Sequence, residues 1–218
     1  MRGPIIDGYV LPEPIADIFA AGKQNDVALL TGWNEDEGLL FGPVKKADDF
    51  RKQAEEQYGA AAGKLLQYYP ARDDSEAAAS QLKLSRDMIF GVQNYTWANA
   101  QSSRGEKVYV YRFTRKLPAT GEYVKYGAFH TGEVPYAYDN LKFVNRPWES
   151  VDHELARIIS RYWANFISTG NPNGNGLPEW PAYSVTDKKI MVLGEKPEAK
   201  SLSDAAALDF LYATMRAK

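Results

Sequence analysis

One short apolar run, residues 27–31, limits the folds open to this chain more than any other segment. Its sequence, Val-Ala-Leu-Leu-Thr, lacks the polar alternation of a half-exposed strand, and Gly32 closes it. Runs of this kind are typical of strands buried on both faces of a parallel sheet. The run therefore predicts an α/β fold, in which ligands bind beyond the carboxyl ends of the strands, where the residues after Gly32 would lie.

Further segments fit a mostly parallel central sheet flanked by helices. Residues 108–113 are β-branched and aromatic and form the clearest strand. Residues 151–167 place apolar side chains on one face of a long amphipathic helix that ends near Gly170. The other predicted elements are a short helix at 14–21, two helices within 47–69, a helix at 75–102 with a break at Gly91, a strand at 189–193 and a closing helix at 204–215.

Composition excludes several classes of function. The 218 residues are 44% hydrophobic, enough for the core of one large domain, and a net charge of -2 favours neither nucleic acid nor an anionic membrane. With no cysteine and only two histidines, we expect no disulfide, no metal site and no cofactor. No run approaches the roughly 18 apolar residues of a membrane span. The cellular compartment stays open, because a targeting segment could belong to a longer parent chain.

Two polar loops are candidates for chemistry. His130 stands between glycines in residues 127–135, a segment with neither helical nor strand periodicity, and a loop imidazole can move protons near neutral pH. An acidic loop, residues 31–38, follows the first predicted strand and contains Asp36 and Glu37. Both loops follow predicted strands, so they can meet at one edge of the sheet although they are distant in sequence.

Several short motifs occur in a recognisable order. Residues 32–38 are Gly-Trp-Asn-Glu-Asp-Glu-Gly, and residues 127–135 are Gly-Ala-Phe-His-Thr-Gly-Glu-Val-Pro. They are preceded by Pro-Ile-Ile-Asp-Gly at 4–8 and followed by Tyr-Trp-Ala-Asn-Phe, Thr-Gly-Asn-Pro-Asn and Trp-Pro-Ala-Tyr, which begin at residues 162, 169 and 180. In this order the motifs resemble those of the type B carboxylesterases, the α/β-hydrolase group that includes the para-nitrobenzyl esterases and the cholinesterases.

The resemblance covers the whole chain but only the C-terminal part of that family's longer domain, so residues 1–218 are expected to form the C-terminal region of an α/β-hydrolase. It implies that Glu37 is the acid and His130 the base of a Ser-Glu-His triad, which in this fold occurs in that chain order. No serine stands in a Gly-x-Ser-x-Gly elbow, and no glycine-rich oxyanion loop is present. The nucleophile would therefore come from a missing N-terminal part.

The resemblance further implies a serine esterase that cleaves small carboxylic esters through an acyl-enzyme, with the isolated chain inactive. The expected partners are the ester substrate and the N-terminal part of the same hydrolase. Self-association is left open as well, because the unpaired strand edge of an interrupted sheet can pair with another chain. Where the family usually continues with a hydrophobic residue, Phe and Gly, this chain has Ala137, Tyr138 and Asp139, so its pocket lining is expected to differ.

Other interpretations of these residues stay open. Asp36 competes with Glu37 as the acid, although as a turn residue it is expected to bond nearby backbone. Glu133 is expected to hold the histidine loop, and His153 to lie on the surface. Four apolar side chains either line a substrate pocket or belong to the core: Leu39, Leu40, Phe41 and Phe129.

Two competing functions remain. Some proteins of the resembled fold have lost triad members and act as binding or adhesion ectodomains, but such a module needs neither Glu37 nor His130. Another hydrolase of the same fold, such as a lactonase or a lipase, would keep both residues. The sequence does not identify the natural ester.

Overall fold

The computed structural model describes residues 4–40 and 44–216, without the side chains of Leu39 and Leu40. A four-stranded sheet has the order β1-β2-β3-β4. The strands are β1 (Leu29–Asn34), β2 (Val108–Phe113), β3 (Lys189–Leu193) and β4 (Glu198–Ser201). The first three strands are parallel and β4 is antiparallel to β3, so the predicted mostly parallel sheet is confirmed.

Helices cover the sheet. They are α1 (Ile15–Ala20), α2 (Ala47–Tyr58), α3 (Ala62–Tyr68), α4 (Asp74–Arg86), α5 (Val92–Ser103), α6 (Val134–Ala137), α7 (Ser150–Thr169) and α8 (Ala205–Arg216). A single π-helical turn, Asp87–Gly91, joins α4 to α5, at the break predicted within 75–102. The predicted end of the long helix is also confirmed, because Gly170 caps α7 in the left-handed conformation with φ 70.

The two faces of the sheet carry separate hydrophobic clusters. Val108 and Val110 of β2 pack into one cluster, with side chains from α2, α3, α5 and α8. The alternate residues of β2, including Tyr109 and Phe113, pack into the other, with side chains from α6 and α7. Every residue of β2 is buried for this reason, as expected of a central strand covered on both faces.

Two details of the sheet differ from the sequence prediction. Gly32 does not close the first strand, which continues to Asn34; a side chain at Gly32 would collide with Tyr111 on the neighbouring strand. The glycine marks a close approach of two backbones and not a strand end. Strand β4 was not predicted, because its sequence, Glu-Ala-Lys-Ser, is short, polar and exposed, as edge strands often are.

The outer edge of β1 is unpaired: within residues 4–40 and 44–216, no strand pairs with its second side. Large apolar side chains near the start of the described chain are exposed, among them Ile5 at 82%, Tyr9 at 91% and Val10 at 80%. Val10 lines a surface cavity together with Val27 and Leu29, so exposed apolar surface lies next to the start of β1. None of the helices in the described ranges is long and apolar enough to cross a membrane.

Candidate active site

The acid loop begins where β1 ends. After Asn34 the chain turns and enters a short 3-10 helix, Glu37–Leu40, whose first residue is Glu37. Gly38 is packed so closely against the backbone of Leu82 in α4 that no side chain would fit there. This contact fixes the 3-10 helix against α4, and it leaves the Glu37 side chain buried at 4% exposure.

The structure brings Glu37 and His130 together. Nδ1 of His130 lies 2.8 Å from Oε1 of Glu37, across 93 positions of sequence. The second carboxylate oxygen of Glu37 accepts a hydrogen bond of 2.9 Å from the backbone N–H of Asn34. The His130 side chain is 46% exposed, and its Nε2 makes no hydrogen bond to any residue in the described ranges. One ring nitrogen is thus held by a buried carboxylate while the other remains available.

Burial raises the pKa of Glu37 above its usual range, although the hydrogen bonds from His130 and from the Asn34 backbone act in the opposite direction. The cause is desolvation, which disfavours the ionised carboxylate. A buried carboxylate of this kind is stabilised by a positive neighbour more than an exposed one would be, because little water screens the pair. The hydrogen bond to Nδ1 of His130 therefore offsets part of the cost of burying this carboxylate.

Asp36 holds the histidine loop and does not contact the imidazole. Its carboxylate accepts a hydrogen bond of 2.7 Å from the backbone N–H of Ala128, and its own N–H donates to the Ala128 carbonyl at 3.0 Å. Gly127 lies against this carboxylate with φ 56, a position where a side chain would collide. Asp36 bonds backbone, as predicted, but the prediction that this backbone is nearby in sequence was wrong.

Asn34 and Glu133 make a second connection between the loops. Nδ2 of Asn34 donates to the carbonyl of Phe129 at 2.8 Å and to a carboxylate oxygen of Glu133. The predicted role of Glu133 in holding the loop is thus confirmed. Asn34 was not singled out from the sequence, although its position in the Gly-Trp-Asn-Glu-Asp-Glu-Gly motif was the available signal. The spacing between Glu37 and His130 is set by these contacts on both sides.

The remaining sequence candidates lie elsewhere. His153 is exposed on α7, as predicted. Phe129 is half-buried and packs against the cluster around α6 and α7, with the guanidinium of Arg146 5.1 Å from its ring centroid, which supports a core role. The side chains of Leu39 and Leu40 and the whole of Phe41 lie outside the described residues.

Glu35, the first acid of the motif, anchors the loop through a buried ion cluster. One of its oxygens accepts a hydrogen bond of 2.6 Å from Arg86, and the other accepts one of 3.0 Å from Arg112. Both arginines also bind Asp204, at the start of α8, and Arg86 binds Asp87 in the π turn. The cluster joins the acid loop to β2, to the π turn and to α8, and it was not predicted from the sequence.

This cluster leads to a prediction about stability. Arg86→Met should lower the free energy of unfolding by about 3–5 kcal/mol, because Asp87 and Asp204 would stay buried without one of their cationic partners. Urea unfolding followed by circular dichroism measures the change. The matched control is Arg157→Met, which removes an exposed arginine paired with Glu154 and should change stability by less than about 0.5 kcal/mol. Equal effects of the two variants would contradict a stabilising role for the cluster.

The arrangement can move protons, and no nucleophile in the described part of the chain is bonded to it. No serine or threonine hydroxyl in the described part of the chain hydrogen-bonds to His130, and no group of three or more His, Asp or Glu side chains there could hold a metal ion. A hydroxyl brought to Nε2 would meet a base oriented by a buried acid. General-base activation of an external hydroxyl requires this geometry.

Sequence comparison places the chain in a family. The model of the carboxylesterase family matches residues 1–211 of this chain. The chain belongs to the carboxylesterase family. Its four-stranded, mostly parallel sheet with flanking helices is accordingly part of an α/β-hydrolase fold, as the sequence motifs predicted.

Named carboxylesterases are similar to this chain over most of its length. The fumonisin B1 esterase of Sphingopyxis macrogoltabida is 31% identical over 205 residues, covering 89% of this chain and 37% of that protein. Liver carboxylesterase 1 of Oryctolagus cuniculus is 24% identical over 92% of this chain and 39% of that protein. The cocaine esterase of Homo sapiens is 26% identical over 86% of this chain and 37% of that protein. The chain thus spans less than half the length of these relatives.

Proposed function

We propose that residues 1–218 form the C-terminal region of a serine carboxylesterase and supply the acid, Glu37, and the base, His130, of its catalytic triad. The contact of 2.8 Å between Nδ1 of His130 and Oε1 of Glu37 carries this proposal. It fixes the tautomer in which Nδ1 bears the proton and Nε2 is free to accept one. Membership of the carboxylesterase family supports carboxylic ester hydrolysis as the reaction of the whole protein.

The proposed reaction proceeds in two halves. In the first, Nε2 of His130 takes the proton of a serine hydroxyl as the serine attacks the ester carbonyl, and Glu37 stabilises the imidazolium that forms. His130 then returns this proton to the leaving alcohol, which releases the alcohol and leaves an acyl-enzyme. In the second half, His130 removes a proton from water, which attacks the acyl-enzyme and regenerates the serine.

The serine and the oxyanion hole belong to an N-terminal part of the same hydrolase in this proposal. The unpaired edge of β1 and the exposed side chains of Ile5, Tyr9 and Val10 offer a surface on which such a part can pack. Exposed apolar patches beside free strand edges mark interaction surfaces. The same surface also allows two copies of the chain to associate when the N-terminal part is missing.

The burial of Glu37 favours a hydrolase over a binding or adhesion module. A buried carboxylate is costly, and within the described residues its hydrogen bonds from His130 and from the Asn34 backbone offset that cost. A binding surface gains nothing from a carboxylate that is buried beneath the imidazole to which it is bonded. The relatives are named for different esters, so the proposed substrate class is a small carboxylic ester in general, and a lactone or a lipid ester lies within the same chemistry.

Complementation tests the proposal. We expect the 218-residue chain alone to show no turnover of para-nitrophenyl acetate above the uncatalysed rate, because a triad without its nucleophile cannot form an acyl-enzyme. Co-expression with the N-terminal part of a carboxylesterase should restore turnover, measured by release of para-nitrophenol. The control is a mixture that contains His130→Ala in place of the native chain. Turnover by the native chain alone would show that the nucleophile has been assigned wrongly.

A further inference from the structure

An aromatic ring covers one face of the His130 imidazole. The ring centroid of Phe90 lies 4.9 Å from that of His130, and the two planes are inclined by only 28°. This is a stacked arrangement within the range of favourable aromatic pairs. The Nδ1 hydrogen bond to Glu37 fixes one point of the imidazole, but a ring held at one nitrogen can still tilt about that bond. A flat surface against its face restricts this remaining motion.

Phe90 belongs to the π-helical turn Asp87–Gly91, and this turn is rigidly held. Asp87 is fully buried and accepts hydrogen bonds of 2.8 Å from both Tyr69 and Arg86. At the other end, Gly91 is packed so tightly that a side chain would meet Leu208 at 3.0 Å. Single π turns inside α-helices are rare and occur frequently at functional sites. Here the turn interrupts a helix at the residue that faces the imidazole.

The backbone of Phe90 is also connected to the central sheet. Its carbonyl accepts a hydrogen bond of 2.8 Å from Nδ2 of Asn94, and Oδ1 of Asn94 accepts one from the hydroxyl of Thr31 in β1. The strand that leads to the acid therefore also holds the residue that stacks on the base. The imidazole is thus contacted by Glu37 of the acid loop and by Phe90 of the π turn, and both of these segments are tied to β1.

We propose that Phe90 is a positioning residue that holds the imidazole of His130 in the orientation in which Nδ1 meets Glu37 and Nε2 faces the nucleophile. The inference rests on the proposed function of His130 as the triad base. An aromatic face attracts a positively charged ring more strongly than a neutral one. The stack therefore stabilises the imidazolium of the transition state more than the neutral base of the ground state, so its loss lowers kcat more than it raises KM.

Kinetics of the reassembled enzyme give one test. Phe90→Leu keeps an apolar side chain but removes the aromatic face, and it should lower kcat about fivefold with little change in KM. Phe90→Tyr keeps the face and should retain most of the native kcat. The matched control is Phe210→Leu, which removes a half-buried ring of α8 whose centroid lies 5.7 Å from that of Tyr68 in a tilted arrangement, and it should leave kcat unchanged. An unchanged kcat in Phe90→Leu, in an enzyme that is otherwise active, would overturn the inference and leave the proposed function standing.

Nuclear magnetic resonance gives a second test that needs no activity. The chain has only two histidines, so the ring protons of His130 can be compared directly with those of exposed His153. Protons over an aromatic face are shielded, and we expect the His130 ring signals to move downfield in Phe90→Leu while those of His153 stay in place. Phe210→Leu should shift neither. Identical His130 signals in the native chain and in Phe90→Leu would show that Phe90 does not hold the ring, whether or not the reassembled enzyme is active. Failure of every complementation mixture would instead count against the proposed function.

Discussion

His130→Ala is expected to lower kcat of the complemented enzyme by about 10⁴-fold, the effect typical of a disrupted triad. The substitution removes the imidazole that is bonded to Glu37. Within the described residues no other imidazole takes its place as the acceptor of the serine proton. Michaelis constants should change little, because the imidazole acts on the reacting bonds and not on substrate binding. Steady-state hydrolysis of para-nitrophenyl acetate measures both quantities.

The matched control for this variant is His153→Ala. His153 is the only other histidine of the chain and lies exposed on α7, so its removal should leave kcat and KM at native values. If His130→Ala kept more than a small fraction of native activity, the imidazole would have to be removed from the mechanism. Loss of activity in both variants would point instead to a general defect in assembly with the N-terminal part.

Glu37→Gln is expected to lower kcat by on the order of 10³- to 10⁴-fold without weakening the fold. The amide nearly matches the carboxylate in shape, but it cannot stabilise an imidazolium and can select the wrong tautomer of His130. Asp36→Asn is the informative comparison, because Asp36 bonds Ala128 and not the imidazole, so it should lower kcat much less. If Asp36→Asn were the more damaging of the two variants, Asp36 would replace Glu37 as the proposed acid.

The pKa of Glu37 adds a prediction about the pH dependence of stability in the same variant. Burial raises this pKa above the ordinary value of 4.5, so the folded chain binds this proton more tightly than the unfolded chain does. The contribution of Glu37 to stability is therefore largest at low pH and falls as pH rises through the interval from 4.5 to the folded pKa. In Glu37→Gln, the free energy of unfolding obtained from urea titrations should no longer fall with pH over this interval. A carboxyl whose pKa is lowered by folding would instead make the free energy of unfolding rise with pH.

Patterns within single elements were predictable because they depend on local periodicity. The aromatic and β-branched alternation of residues 108–113 predicted β2, and the apolar spacing of residues 151–167 predicted α7. The motif order pointed to Glu37 and His130 as the acid and the base of a proposed triad, and the structure brings these two side chains into contact. The boundary at Gly32 was predicted incorrectly, since a glycine that ends a strand and one that admits a neighbouring backbone look the same in sequence.

By itself, the sequence determined the buried strands and the long amphipathic helix, and its motifs pointed to the loops that contain Glu37 and His130. Only the tertiary structure decided what each of the three consecutive acids contacts: Glu35 enters an ion cluster, Asp36 bonds the backbone of Ala128 and Glu37 meets His130. The stack of Phe90 on His130 was equally invisible in the sequence. Periodicity reports on neighbours along the chain, whereas the partner of a carboxylate or a ring depends on which distant segments the packed sheet and helices bring within a few ångströms of it.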